Sequence, residues 1–214
     1  MTGLVEAVCV VHADVPVGRR GVELSGIDKR PVQGPIDVHE LGLAGDHSRD
    51  TKFHGGIDQA VYVYDAAEAR RWATELGREI PPGWFGENLR TSGVAVTDSV
   101  VGSRWRAGNV LLEVTISRKP CGTFARWAAE PRWVRRFTER ADVGAYFRVV
   151  EPGTLQSGDL VSIEYVPTHG VTVRDLFLGA NPRGIELLLE QKNLPPKVER
   201  DARAVLRSPP RRDC

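Results

Sequence analysis

The sequence predicts an α+β fold: a mainly β, barrel-like domain over residues 1–167, followed by a small three-helix segment over 168–214. Three observations predict it. Short apolar runs rich in β-branched residues recur at close spacing, broken by glycine corners, as in a small barrel whose closure removes exposed edges. After His169 the texture changes to three short amphipathic stretches separated by prolines. The length of 214 residues can bury one good core with a small appendage. The helical piece is too small to hold a core alone and should sit on the barrel or on another subunit, so a homodimer is one expected assembly.

Composition narrows the function classes. A formal net charge of +1 argues against wholesale nucleic-acid binding and against a membrane-surface role, so any anion site must be local. The 3 cysteines, at 9, 121 and 214, are too few and too scattered for a disulfide framework, which fits a reducing cytoplasm. The first twelve residues are apolar but lack a basic start and carry Glu6, unlike a signal peptide. No apolar run approaches membrane-spanning length.

Taken in order, residues 4–12 read as a first strand, 18–34 as a hairpin or loop rich in Gly, Pro and charge, and 36–41 as a half-buried strand. A long polar segment over 43–59 leads into a strand over 60–64; a loop of that length is usually functional or disordered. Gly55-Gly56 within it permits backbone angles and close approach that other residues forbid, and Gly45-Asp46 makes a turn at its other end. Asp65 is an N-cap for a helix over 66–76, with Trp72 as its core anchor. Residues 81–89 form a third loop, with Trp84, Phe85, Gly86, Glu87 and Asn88 more than a turn requires. Short strands follow at 94–96, 100–101 and 104–106, then a strongly β-branched one at 110–116. Beyond it come a short helix from Gly122, a helix over 131–140, and closing strands at 144–150 and 160–166.

The strand at 110–116 runs into Ser117-Arg118-Lys119-Pro120-Cys121. Pro120 has no backbone N–H and pushes Lys119 out of helical angles, so the ladder ends and Cys121 sits on the rim. A lone cysteine is most often a small buried hydrophobe. Two long cations directly before it make a poor core position, because both must reach solvent or an anion. Neighbouring cations and a following helix N-terminus lower a thiol pKa, so Cys121 reads as a nucleophile, a redox thiol or a soft metal ligand.

Four motifs in order, His54-Gly55-Gly56 with Asp58, Phe85-Gly86-Glu87-Asn88-Leu89, Gly102 with Arg104, and Arg118-Lys119-Pro120-Cys121, resemble the MOSC family, named for the C-terminal domain of molybdenum-cofactor sulfurase. The likeness runs from about Gly42 to Asp159, and the helical tail resembles the three-helix extension of the YiiM-like branch. The resemblance implies a MOSC-type β-barrel that binds the molybdenum cofactor with the Cys121 sulfur as metal ligand. It also implies reduction of N-hydroxylated compounds such as hydroxylaminopurine or amidoxime-type substrates, and it brings a further association with pyridoxal phosphate. On this reading Arg118, Lys119 and Arg148 hold the cofactor phosphate with backbone near Gly55-Gly56. The loop of Gly86, Glu87 and Asn88 walls the site, with Asn88 offering donor and acceptor. His54, Asp46 and Asp58 are the proton-transfer candidates by type. For His54, positioning the glycine loop is an equal alternative; for the two aspartates, fixing their own turns is the stronger one. Lys119 departs from the family pattern, which has a more neutral residue there. Facing the cofactor it adds charge beside Cys121; facing water it leaves that role to Arg118.

No flavin or iron–sulfur motif is present, so electrons must come from a separate reductase, for which the arginines 132, 135, 136 and 140 offer a docking face if they are not simply a solvated one. A different class remains open: a carrier that holds the cofactor, or a persulfide on Cys121, for another enzyme. A Cys121–His54 hydrolase ranks below both, since no nucleophile-elbow motif occurs. Cys-x-x-Cys, His-x-x-x-His, Gly-x-Gly-x-x-Gly and P-loop patterns are all missing, which argues against zinc and nucleotide chemistry of those types.

Overall fold

The computed structural model describes residues 2–17, 23–49 and 55–207. His54 and Cys214 lie outside the described residues. The first strand, β1 (Thr2–Pro16), is longer than expected. Its first half pairs within the barrel; its second half forms a two-stranded ribbon with β2 (Leu24–Pro31), from Cys9↔Pro31 to Pro16↔Leu24. Within the expected hairpin or loop region, residues 24–31 are therefore a strand antiparallel to β1. Register shifts between Val11 and Ala13 and between Ala13 and Val15 mark bulges, which increase a ribbon's twist.

Next come β3 (Ile36–His39), β4 (Gly42–Leu43), a 3₁₀ turn at Ile57–Gln59 and β5 (Val61–Asp65). Helix α1 (Ala66–Leu76) forms where its N-cap and periodicity predict: Asp65 accepts from the Ala67 N–H at 2.7 Å, and Gly77 closes the helix at φ 63°. Trp72 is fully buried. After α1 come β6 (Leu89–Ser92), β7 (Arg104–Ala107), β8 (Val110–Ser117), α2 (Gly122–Ala128), α3 (Trp133–Arg140), β9 (Ala145–Glu151), β10 (Gly153–Leu155) and β11 (Leu160–Tyr165). Strands β1, β11, β7, β8, β9, β5 and β6 pair in that order, and β6 returns to β1 to close the barrel. An odd number of strands cannot close with every neighbour antiparallel. The one parallel pair, β5 with β6, is joined through α1, as a parallel connection requires. Strands β10, β3 and β4 make a small second sheet.

Two expected strands are absent. Residues 94–96 and 100–101 form turns, with Ser99 N–H on Val96 and Ser103 N–H on Val100, and only an isolated bridge joins Val100 to Thr172. Gly93 and Gly102, at φ 76° and 83°, bend the chain at both ends, leaving too little extended backbone to pair. Val94, Val96 and Val101 are buried as core plugs instead.

The tail forms α4 (Val173–Leu178), α5 (Pro182–Leu189) and α6 (Pro196–Arg207). A Thr172/Asp175 capping box starts α4, and Asn181 with Pro182 starts α5. Helices α4 and α6 pack against β8, whose residues are all buried. Val173, Leu176, Ile185, Leu188, Val198 and Ala202 join the barrel residues in one continuous core. No helix among the described residues is long and apolar enough to cross a membrane.

Candidate functional site

Strand β8 ends at Ser117, and Cys121 takes the N-cap position of α2 with extended backbone (φ −131°, ψ 171°). Phe124 inserts into an aromatic cluster with Trp84, Phe85, Trp133 and Phe137, and the Trp127 indole N–H donates to the Trp84 carbonyl at 2.7 Å. That packing fixes the rim on which Cys121 stands, half-buried. Arg118 beside it is only 6% exposed. Its Nη1 donates to the Phe85 carbonyl, and its guanidinium lies 3.8 Å from the centre of the Phe124 ring, a cation–π contact. Its buried Nε has no hydrogen-bond partner, and no carboxylate pairs with this arginine among the described residues. A buried cation left in that state is costly and calls for an anion.

Arg118 and Cys121 line one cavity of ≈ 760 Å³, within the size range of small-molecule and cofactor sites. The ribbon supplies Val17, Leu24, Ile27 and Lys29; Asp46, His47 and Arg49 come from the following loop; Gly55, Gln59, Tyr62 and Tyr146 complete the wall. Most of its charges are already paired. Lys29 Nζ lies 2.6 Å from Asp46 Oδ2. At the mouth, Asp14 accepts from Arg49 Nε at 2.8 Å and pairs with His47 at 2.9 Å. The Arg49 and His47 contacts hold the Asp14 carboxyl at about 2. Arg118 has no carboxylate partner among the described residues. The other described cysteine, Cys9, is buried outside this lining, and burial pushes its thiol up to about 12.

Several expected site residues turn out to have structural partners. Glu87 is sealed from solvent, accepts from the backbone N–H of Gly83 and Phe85 at 2.8 and 3.0 Å, and pairs with Arg90. It shapes the loop and is not part of the cavity wall. Asn88 does line the cavity, but its amide is committed: Oδ1 accepts from Tyr62 N–H at 3.0 Å, and Nδ2 donates to Asp46 at 2.8 Å. Asp58 is also turned away. Its Oδ2 accepts from the backbone N–H of Lys197 at 2.9 Å, at the start of α6, and Asp58 is not part of the cavity wall. Lys119 reaches the other way, to Asp201 at 2.8 Å, so that of the two cations only Arg118 lines the cavity. Arg148 pairs with Glu113 across β8 and β9 at 2.7 Å and is not part of the cavity wall; nor is Gly56. Gly55 and Gly86 do line it, both at positive φ, and a Cβ on Gly86 would approach Ile27 to 3.2 Å.

Sequence reasoning missed Lys29, Tyr62 and Tyr146. The tyrosines lie on the same cavity-facing sides of β5 and β9, cross-strand partners with ring centres 5.0 Å apart. Alternation along those strands was the available signal. Lys29 gave none, because its strand reads as a charged, glycine-containing loop. The arginines expected to form a docking face are largely neutralised within the chain: Arg136 and Arg140 both reach Glu75, and Arg135 pairs with Glu139.

The family model for the MOSC domain matches residues 50–162, the stretch that contains the Gly55 turn, the 81–89 loop and the Cys121 corner. The chain belongs to the MOSC family. Among curated proteins it is 29% identical to YflK of Bacillus subtilis over 70% of this chain and 68% of that one. It is 31% identical to YiiM of Escherichia coli over 62% and 61%. A protein of Gibberella moniliformis named "Reductase" is 29% identical over 83% of this chain, which spans only 33% of that longer protein. In structure, YiiM of Geobacillus stearothermophilus superimposes with a TM-score of 0.77 at 22% identity, covering 95% of this chain and 99% of its own. The MOSC barrel and the helical tail thus share one fold with that protein.

MOSC domains are associated with the molybdenum cofactor, and the residues here fit such a group. Cys121 offers one soft sulfur donor, and Arg118 a buried cation with no carboxylate partner among the described residues, in the same cavity. Among the described residues no three His, Cys, Asp or Glu side chains converge on a metal site.

Proposed function

We propose that the chain is a molybdenum-cofactor-dependent reductase of N-hydroxylated compounds. One observation carries the reading: a rim cysteine and a buried arginine with no carboxylate partner among the described residues line the same cavity. Cys121 would be the protein's ligand to the metal, and Arg118, already oriented by Phe85 and Phe124, would hold the cofactor's anionic portion. The bound cofactor supplies two-electron reduction at its metal. The rest falls to the chain. Val17, Leu24 and Ile27 offer apolar surface to the organic body of a substrate. The overall change, R–NHOH to R–NH₂ and water, consumes two electrons and two protons. Electrons come from a separate reductase. Proton-bearing groups on the cavity wall are Lys29, held by Asp46, and Tyr146. The Gibberella relative's name supports reductive chemistry for this family architecture.

The test is metal analysis of the purified protein, followed by an assay with hydroxylaminopurine or an amidoxime and an artificial electron donor. Stoichiometric molybdenum with turnover is expected. Cys121→Ser should abolish turnover while leaving the melting temperature within about 2 °C, because a half-exposed thiol contributes little packing. An active Cys121→Ser protein removes the ligand assignment. Molybdenum without turnover turns the reading toward a cofactor carrier.

A further inference from the structure

We infer that α6 is a clamp on this site, with Lys197 and Asp201 as positioning residues. Two of the loops that line the cavity are each tied to that one helix. At its start, the Lys197 backbone N–H donates to Asp58 Oδ2 at 2.9 Å, while its side-chain Nζ donates to the Gly55 carbonyl at 2.7 Å and to the Gln59 side chain. One residue thus grips both ends of the 55–59 turn, two of whose residues, Gly55 and Gln59, line the cavity. The turn is held from beneath as well, since Thr115 Oγ1 on β8 donates to the Asp58 carbonyl at 2.6 Å. One turn further along α6, Asp201 is 5% exposed and takes Lys119 at 2.8 Å through Oδ2, while Arg200 holds Oδ1 at 3.1 Å. Lys119 sits between Arg118 and Cys121, so this pair fixes the backbone of the corner that carries both.

Glycine explains why a clamp is needed. Gly55 and Gly56 both sit at φ +80°, in a region they share freely with many other backbone states, and a turn built from them loses more entropy on ordering than any other. A charge-assisted bond from a half-buried ammonium to the Gly55 carbonyl offsets that loss where the site requires order. On the other loop, Pro120 ends the ladder, so strand pairing no longer holds the chain. The Lys119–Asp201 pair takes over that role. Buried Val198 and Ala202 lock α6 itself onto the core, which makes it a fixed anchor.

The inference rests on the cavity being the cofactor site only for its consequence; its first readout needs no cofactor. Amide hydrogen exchange would be followed by mass spectrometry on full-length, cofactor-free protein and on Lys197→Met and Asp201→Asn. Lys197→Met should speed exchange over 55–60 by about tenfold, and Asp201→Asn should speed it several-fold over 118–123, with the β8 segment 110–116 unchanged. Molybdenum retained after purification should fall in both. Exchange in those loops unchanged within about twofold in folded variants overturns the clamp. So does a uniform rise that includes 110–116, which marks a merely structural helix. Should Lys197→Met not fold, Lys119→Met, altering a side chain that is 60% exposed, must still loosen 118–123 or the idea fails. Selective loosening in a protein whose wild type carries no molybdenum keeps the clamp and refutes the cofactor reading.

Discussion

Tyr146 and Tyr62 face the same cavity, yet their hydroxyls are differently engaged. Tyr62 donates to the Val143 carbonyl at 2.8 Å and is spent on structure. Burial raises the Tyr146 phenol above its ordinary value, with Arg118 nearby pulling the other way, so it keeps its proton at neutral pH. Tyr146→Phe preserves the ring contact with Tyr62 and removes only that proton. If Tyr146 supplies the proposed reduction, kcat should fall about a hundredfold with molybdenum content and KM held within about twofold. Steady-state kinetics on metal-loaded protein reads both. An unchanged kcat would hand the proton to Lys29. The same scale shows where sequence reading ends. Arg118 and Cys121 were legible because a proline between two cations and a thiol is an unusual local string. Asp58 was not, because its partner Lys197 is 139 residues away and nothing in the local pattern names it. The true role of Lys119 was hidden for the same reason.

At the level of elements, the 81–89 loop and the ribbon touch backbone to backbone. Gly83 has φ +90°, and a Cβ there would stand 2.1 Å from the Lys29 carbonyl oxygen. Gly83→Ala should therefore cost roughly 3 kcal/mol by the combined clash and strain, and should displace Lys29 from Asp46; a denaturant midpoint within error of wild type would contradict the close approach. Helix α1 carries a second test. Glu68 in its first turn is buried, accepts from Thr97 Oγ1 at 2.8 Å, and lies 3.9 Å from Arg71 and 3.7 Å from Arg174, with Asp142 and Asp65 also near. Burial, helped by the two aspartates, lifts it from 4.5 to about 8. Between those values the folded chain keeps a proton that the unfolded chain has released, so this residue makes stability fall as pH rises from 4.5 to about 8. Glu68→Gln removes the titration. The stability difference, wild type minus variant, should decline steadily across that window in urea melts. Parallel curves would mean that Arg71 and Arg174 keep Glu68 ionised. The helix itself was legible from its Asp65 cap and periodicity, whereas the 94–101 turns were not: valine runs favour strands locally, and only the glycine geometry at both ends overrides them.

For the whole molecule, the division into a barrel over 1–167 and a tail over 168–214 follows the change in sequence texture but not the distribution of buried surface. Val171 and Val173 are fully buried, Phe177 is 6% exposed, and all belong to the core that also holds Val101 and Val114. Strand β8 has helices on its outer face, so removing them would expose apolar side chains and the β8 side chains that α4 and α6 cover. Each fully buried aliphatic side chain is worth about 1.5–3 kcal/mol, and the net stability of a domain is about 5–15 kcal/mol. Five such residues, Val173, Leu176, Ile185, Leu188 and Val198, already match that total. The two pieces should accordingly unfold together: calorimetry should give one transition with equal calorimetric and van't Hoff enthalpies, and a chain cut after residue 167 should fail to fold or aggregate. A stable, monomeric 1–167 fragment with native strand content would show the barrel to be self-sufficient. It would also reduce α6 to an appendage, with its hold on the Gly55 and Cys121 loops separable from the fold.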